Sequence, residues 1–264
     1  MHKFSKIGFI FVLVGIAIIT ALVSSVVMLK EEQETEEPDW LQVPVVEVST
    51  EQKSEITTEE ILVQDQSWVA QLEIANEISQ LIIVEADGTY ATVSMHTKDE
   101  NGIWKEDFST TGRIGKNGIG KEKEGDGKTP TGVFSFYKAF GINSDPGITA
   151  LPYLQIDKTH RWVDDSNSVY YNQLVSTEDV EPDWDSSEHL YKSTYSYKYV
   201  LALDYNKECE PGLGSAIFLH CPSKGFKYTS GCIAIPEEDM IRVMQLLRED
   251  CRVIIDIKEQ LEQY

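Results

Sequence analysis

The chain has 264 residues, 41% of them apolar, and a formal net charge of −21 from 23 Lys and Arg against 44 Asp and Glu. That length suffices for a sizeable core, while the charge excludes a broad phosphate-binding surface, which needs clustered Lys and Arg; nucleic acid is not an expected partner. Cys209, Cys221, Cys232 and Cys251 form no Cys-x-x-Cys pair and match no zinc-ligand spacing, so no metal or other cofactor is expected.

Residues 1–6 carry Lys3 and Lys6, and an uncharged run extends from Ile7 to Leu29. As a helix this run would rise about 34 Å, enough for a hydrocarbon core of about 30 Å. It is longer than the apolar region of a cleaved signal peptide and no small-x-small site follows it, so 7–29 reads as a retained single-pass transmembrane anchor. Lys3 and Lys6 precede the run, whereas Glu31, Glu32, Glu34, Glu36 and Glu37 follow Lys30. The positive-inside rule therefore places 1–6 in the cytoplasm and everything after Lys30 outside the cell membrane. Residues 30–60 are acidic, rich in Thr and Glu and poor in apolar periodicity, the composition of a flexible stalk. The globular head is expected over 61–264.

Within the head, the apolar positions Val69, Leu72, Ile74, Ala75 and Ile78 predict a helix over 66–78. Leu81 to Glu85 and Tyr90 to His96 flank Asp87-Gly88 and predict a hairpin. Thr131 to Tyr137 alternates as a further strand after the glycine-rich stretch Gly118 to Gly132. Gly127-Lys128-Thr129 in that stretch invites a phosphate-loop reading. The first Gly of that motif is replaced by Glu122, however, and Pro130 blocks the helix that would hold the phosphate, so nucleotide binding is rejected. The long polar and aromatic middle, Phe140 to Tyr195, is either a substrate-facing cap or an aromatic layer burying one side of the sheet. As a cap it would contact substrate through Trp162, Tyr170, Tyr171 and Asn172. Strands are expected at Tyr197 to Tyr205, Ala216 to His220 and Arg252 to Ile257, with a helix at Glu237 to Arg248 whose Met240, Val243, Met244 and Leu247 form a core stripe.

Chemistry concentrates near the C-terminus. An apolar run ends on His220, and Gly231-Cys232 heads a second apolar run, the raw material of a thiol nucleophile with an imidazole base. A neighbouring imidazole is expected to raise the thiolate fraction of Cys232. The glycine lets the backbone approach closely, so within Ser230-Gly231-Cys232 the amides of Gly231 and Cys232 are the candidate oxyanion donors, and Thr229 is a candidate substrate contact. His96, His160 and His189 sit in polar segments and are expected to be solvated.

His220, a short loop and then Thr229-Ser230-Gly231-Cys232-Ile233 resemble the catalytic signature of the L,D-transpeptidase domain of bacterial cell-wall enzymes. Glu124-Gly125-Asp126-Gly127-Lys128-Thr129-Pro130-Thr131-Gly132 is similar to that family's early signature turn. Val163-Asp164-Asp165, Tyr170-Tyr171-Asn172 and Leu203-Asp204-Tyr205-Asn206 are similar to one of its branches, so the likeness runs from about Leu81 to Ile257. It implies a mainly β, mixed sandwich or barrel-like catalytic fold with a few short helices. It further implies acyl transfer on peptidoglycan stem peptides through a Cys232 thioester, with His220 as base and the carbonyl of Cys221 orienting its ring. D-Ala would leave, and an amine acceptor would complete a three-to-three cross-link; water as acceptor would make a carboxypeptidase. A non-catalytic wall-binding ectodomain is the alternative from another class. The chain departs from many members in having Ser230 in place of His, and Ala234 in place of Arg or Asn two residues after the cysteine. Alanine offers no bidentate partner for a carboxylate, so substrate contacts and acceptor choice are where this chain is expected to differ.

Overall fold

The structure, a computed structural model, describes residues 67–264 apart from Lys224 and Phe226. The expected anchor at 7–29, the stalk at 30–60 and the first residues of the head lie outside the described residues. Among the described residues no helix is long and apolar enough to cross a membrane.

The head is mainly β. Its thirteen strands are β1 (Gln80–Asp87), β2 (Tyr90–Lys98), β3 (Trp104–Arg113), β4 (Gly132–Phe134), β5 (Phe136–Gly141), β6 (Tyr153–Gln155), β7 (His160–Val163), β8 (Leu174–Ser176), β9 (Ser187–Glu188), β10 (Val200–Leu203), β11 (Phe218–His220), β12 (Ile233–Ala234) and β13 (Arg252–Asp256). One α-helix, α1 (Glu237–Leu246), and a few short 3-10 turns complete the described elements. Ten strands form one mixed sheet in the order β4-β13-β1-β2-β3-β12-β11-β10-β5-β6, and β8-β7-β9 form a separate small sheet. Gly88-Thr89 is the two-residue turn that closes the β1–β2 hairpin between paired Asp87 and Tyr90, with Gly88 at φ +62° in its first position.

Alternation along the strands sorts side chains onto two faces. Ile82 and Val84 of β1, Leu201 and Leu203 of β10, Leu219 of β11 and Val253 and Ile255 of β13 share one core with Met240, Val243, Met244 and Leu247 of the α1 segment. Each of those four side chains stabilises the fold by roughly 1.5–3 kcal/mol on burial. Glu237, Glu238 and Asp239 sit in the first turn of α1, where the helix dipole favours negative charge. On the opposite face, Leu81, Ile83 and Ile254 are covered by Val69, Leu72, Ala75 and Ile78. Farther along the same sheet, Val200, Ala202 and Phe218 are covered by Phe140, Trp162, Leu190 and Tyr197.

Three expectations change. The segment after Ser67 is not one helix but two 3-10 turns, Trp68–Gln71 and Glu73–Asn76, separated by an extended Leu72. Its fully buried apolar residues, 69, 72, 75 and 78, recur every three positions, the period of a 3-10 turn rather than of an α-helix. The single strand expected at 131–137 is split at Ser135, whose amide donates to Asp204 Oδ1 at 2.8 Å, into β4, at one edge of the large sheet, and β5, next to the strand at the other edge. His96 is buried, not solvated: it is 2% exposed, with Nε2 2.9 Å from Ser94 Oγ. His160 does reach the surface beside Asp157, and His189 is exposed.

Candidate active site

Strand register explains why a histidine and a cysteine twelve positions apart face the same space. β11 and β12 are parallel, with Leu219 beside Ile233 and His220 beside Ala234. One step earlier, Cys232 falls beside Phe218, on the face that alternation also gives to His220. Leu219 and Ile233 point the other way, into the core around α1. Cys232 packs against the cluster that contains Phe218 and Tyr197, and both Cys232 and His220 line a cavity of about 480 Å³.

The loop that delivers Cys232 is tied down by its own residues. Thr229 is 3% exposed; its hydroxyl donates to the Cys232 carbonyl at 2.7 Å and accepts the Gly231 amide at 3.0 Å. Thr229 is therefore a brace inside the loop that carries Cys232. Of the amides expected to receive an oxyanion, Gly231's is engaged in this state, which leaves that of Cys232 as the candidate donor. Gly231 itself is required by geometry: at φ +152°, an added Cβ would stand 2.9 Å from the Lys128 carbonyl oxygen and 3.1 Å from Ile217 Cδ1. Ser230 is exposed at the cavity wall.

Lys128 belongs to the glycine-rich turn, so the two sequence signatures meet in space. The hub of that turn is Asp126. Its Oδ1 accepts Lys121 Nζ at 2.9 Å and the Lys128 amide at 3.0 Å, and its Oδ2 accepts the amides of Glu122 at 2.8 Å and Lys123 at 3.1 Å. Although the carboxylate is largely removed from water, these donors hold it well below the usual carboxylate range. The Lys121–Asp126 pair is buried, with side chains 2% and 9% exposed. Thr129, fully buried, accepts the Gly115 amide at 2.9 Å beneath the same loop.

Burial disfavours the charged form of both His220 and Cys232. His220 is 4% exposed, and burial pushes its pKa down to about 4 against the opposing effect of its contacts with the carbonyls of Cys221 and Ser196. Nδ1 lies 2.6 Å from the Cys221 carbonyl oxygen, so in the neutral ring Nδ1 carries the proton and Nε2 keeps its lone pair. The side chain of Cys221 points into the core, and only its carbonyl serves the site. Burial, reinforced by Glu188, pushes the Cys232 thiol up to about 12 despite the Phe218 amide and Lys121. Its Sγ–H donates to the Ala216 carbonyl at 3.2 Å. Desolvation thus opposes the expected thiolate enrichment, outweighing the Phe218 amide and Lys121. Tyr197 packs edge-on against the His220 ring, centroids 5.6 Å apart.

The residues expected in the aromatic middle lie behind the cavity wall. Trp162 is 1% exposed, stacks on Phe140 at 5.9 Å and meets Phe218 edge-on at 4.7 Å. Its Nε1 donates to Asn172 Oδ1 at 2.9 Å. Tyr171, 2% exposed, donates to Glu124 Oε2 at 2.7 Å, and Tyr170 packs edge-on against Trp184 at 5.8 Å. None of the four lines the cavity. The aromatic-layer reading describes them, and the cavity is lined instead by residues that spacing did not single out for it: Lys116, Lys121, Glu188, Ser196, Tyr197, Ser215 and Ser223. Glu188 is largely buried there, and desolvation with the nearby Asp164 raises its pKa. A Trp-Asp-Ser-Ser-Glu run carries no local signal that its glutamate turns inward.

The sequence profile of the YkuD family, described as the L,D-transpeptidase catalytic domain, matches residues 80–255. No curated protein matches the chain by sequence. Among solved structures, the helical cell shape determining protein Pgp2 from Campylobacter jejuni is similar at 17% identity, covering 70% of this chain and 52% of that one, with a TM-score of 0.38. A point mutant of the same protein is similar at 17% identity, 74% and 58% coverage and a TM-score of 0.39. The chain thus spans little more than half the length of these solved chains.

Proposed function

The chain belongs to the L,D-transpeptidase catalytic-domain (YkuD) family, and from that premise we propose that it is a cysteine-dependent L,D-transpeptidase acting on peptidoglycan stem peptides. The observation that carries the reading is the placement of His220 and Cys232 on one face of adjoining strands, lining one cavity, with the imidazole fixed through Nδ1 to the Cys221 carbonyl. Cys232 Sγ attacks the carbonyl between the L-centre of a diamino acid and D-Ala. His220 Nε2 takes the thiol proton as the S–C bond forms and returns it to the D-Ala amine as the C–N bond breaks. The Cys232 amide receives the developing oxyanion. An amine from a neighbouring stem then attacks the thioester, restoring the thiol and forming a three-to-three cross-link; water in its place gives a carboxypeptidase. A wall carrying Glu124, Asp164 and Glu188 together with Lys116 and Lys121 suits a substrate that bears both ammonium and carboxylate groups.

The apolar run at 7–29 and the acidic segment after it support a head held outside the cell membrane by a single-pass anchor, where peptidoglycan lies. The test is incubation of the full chain with a carbapenem and mass spectrometry of the product. An adduct lost in Cys232→Ala is expected; no adduct and no Cys232-dependent turnover would remove the enzyme reading. Muropeptide analysis with and without an added amine acceptor then separates transfer from hydrolysis.

A further inference from the structure

The thiol of Cys232 has a hydrogen-bond partner other than the histidine, and the protein holds that partner in an unusual backbone conformation. Ala216, whose carbonyl accepts the Sγ–H at 3.2 Å, sits at φ +54°, in the left-handed region that residues with a Cβ seldom occupy. Its amide donates to Asn172 Oδ1 at 3.1 Å, the same oxygen that accepts Trp162 Nε1. Asn172 is itself left-handed at φ +56°, 3% exposed, and its Nδ2 donates to the Asn206 carbonyl at 2.7 Å. Asn206 in turn donates to the Gly214 carbonyl at 2.8 Å. One buried amide side chain thus ties the β7–β8 connection to both ends of the segment that presents Ala216, and anchors the peptide that precedes the Ala216 carbonyl.

We infer that Asn172 is a positioning residue for the nucleophile: by holding the Ala216 peptide it keeps a carbonyl acceptor on the Cys232 thiol, which parks the proton there until substrate binding turns it toward His220. The inference rests on the reading of Cys232 as nucleophile, but its chemistry can be read without substrate. The ionisable groups that line the cavity with the thiol are His220, Tyr197, the acidic Glu124, Asp164 and Glu188, and the basic Lys116 and Lys121, and none is altered by the substitutions below.

The experiment is the pH profile of Cys232 alkylation by iodoacetamide in the full chain, read by mass spectrometry on the Cys232 peptide. Asn172→Gly keeps the left-handed backbone accessible and removes the tie to Ala216. Its profile midpoint is expected to fall by about half a unit to one unit, with alkylation roughly threefold to tenfold faster at a fixed pH below the midpoint. Trp162→Phe removes the other donor to Asn172 Oδ1 but leaves the Ala216 bond, so it is expected to lower stability and leave the profile unmoved. An unmoved profile in Asn172→Gly, or an equal movement in both variants, overturns the inference. Should Asn172→Gly not fold, the infrared S–H stretch of the parent chain, assigned by its loss in Cys232→Ser, decides instead. A band lowered from that of an unbonded alkyl thiol supports the inference, and an unlowered band overturns it. A shifted midpoint in a chain that turns over no stem peptide would retain the positioning role and reject the proposed reaction; turnover with an unshifted midpoint would do the reverse.

Discussion

Asp126→Asn tests whether the glycine-rich turn is the platform for the nucleophile. The carboxylate receives four donors, two on each oxygen: Lys121 Nζ and the Lys128 amide on Oδ1, the Glu122 and Lys123 amides on Oδ2. An asparagine offers one acceptor oxygen and turns an NH2 toward the remaining two donors. Whichever way it flips, two hydrogen bonds become donor–donor contacts. Lys121, 2% exposed, is also left with a neutral partner and the Lys123 carbonyl at 3.1 Å. Removing one member of a buried, hydrogen-bonded pair costs about 3–5 kcal/mol. For a head of this size that corresponds to a fall in melting temperature on the order of 10 °C. Urea denaturation of the full chain is the assay, since urea does not screen charge. Because the Lys128 carbonyl lies against Gly231, carbapenem acylation of Cys232 should slow in the same variant. Lys121→Met in the Asp126→Asn background should recover part of the loss by removing the stranded ammonium. A variant within about 1 kcal/mol of the parent, the range of a solvent-exposed pair, would refute the buried-hub argument.

Gly231→Ala places a methyl 2.9 Å from the Lys128 carbonyl oxygen at a φ that disfavours it; the expected loss is about 1–3 kcal/mol of stability and, from displacement of the thiol, about 10²-fold in the acylation rate. His220 makes the head acid-sensitive: its pKa is depressed from 6.5 to about 4 on folding, so between those values the unfolded chain binds a proton that the folded chain does not. Stability is full above pH 6.5 and declines as pH falls, by about 3 kcal/mol in total; urea midpoints against pH check this, and His220→Gln should lack that component. Tyr171→Phe leaves the Gly214 amide without its acceptor and Glu124 without one donor, for an expected loss of about 1–3 kcal/mol in the same urea assay.

How far the sequence carried the fold depended on whether a signal was local. The β1–β2 hairpin was legible because Gly88 marks its turn, and α1 because its acidic first turn and apolar stripe agree. The 3-10 turns before β1 were misread as a helix: a spacing of three and a spacing of three-or-four share residues, and only the burial of Val69, Leu72, Ala75 and Ile78 separates them. At the site, His220 and Cys232 were legible because each borders an apolar run, but the parallel register that joins them was not, since pairing between separate strands leaves no local mark. Thr229 as a brace, Ala216 as a thiol acceptor and Glu188 as a wall residue were not legible. Each role depends on contacts between distant segments, and a left-handed alanine has no sequence marker.

The aromatic middle shows why a cap and a support look alike in sequence. Trp162 and Tyr171 are large, amphipathic residues in a proline-broken segment, which suits either role. The structure buries both and gives their polar atoms partners, Asn172 for the indole and Glu124 for the phenol. Glu124 also accepts Ser215 Oγ at 2.7 Å, and Asn172 the Ala216 amide at 3.1 Å, so each aromatic holds a neighbour of the nucleophile rather than a ligand. The proposed reaction depends on how accurately the thiol, the imidazole and the substrate carbonyl are placed, and an aromatic layer packed against Phe218, the residue beside Cys232, suits that requirement.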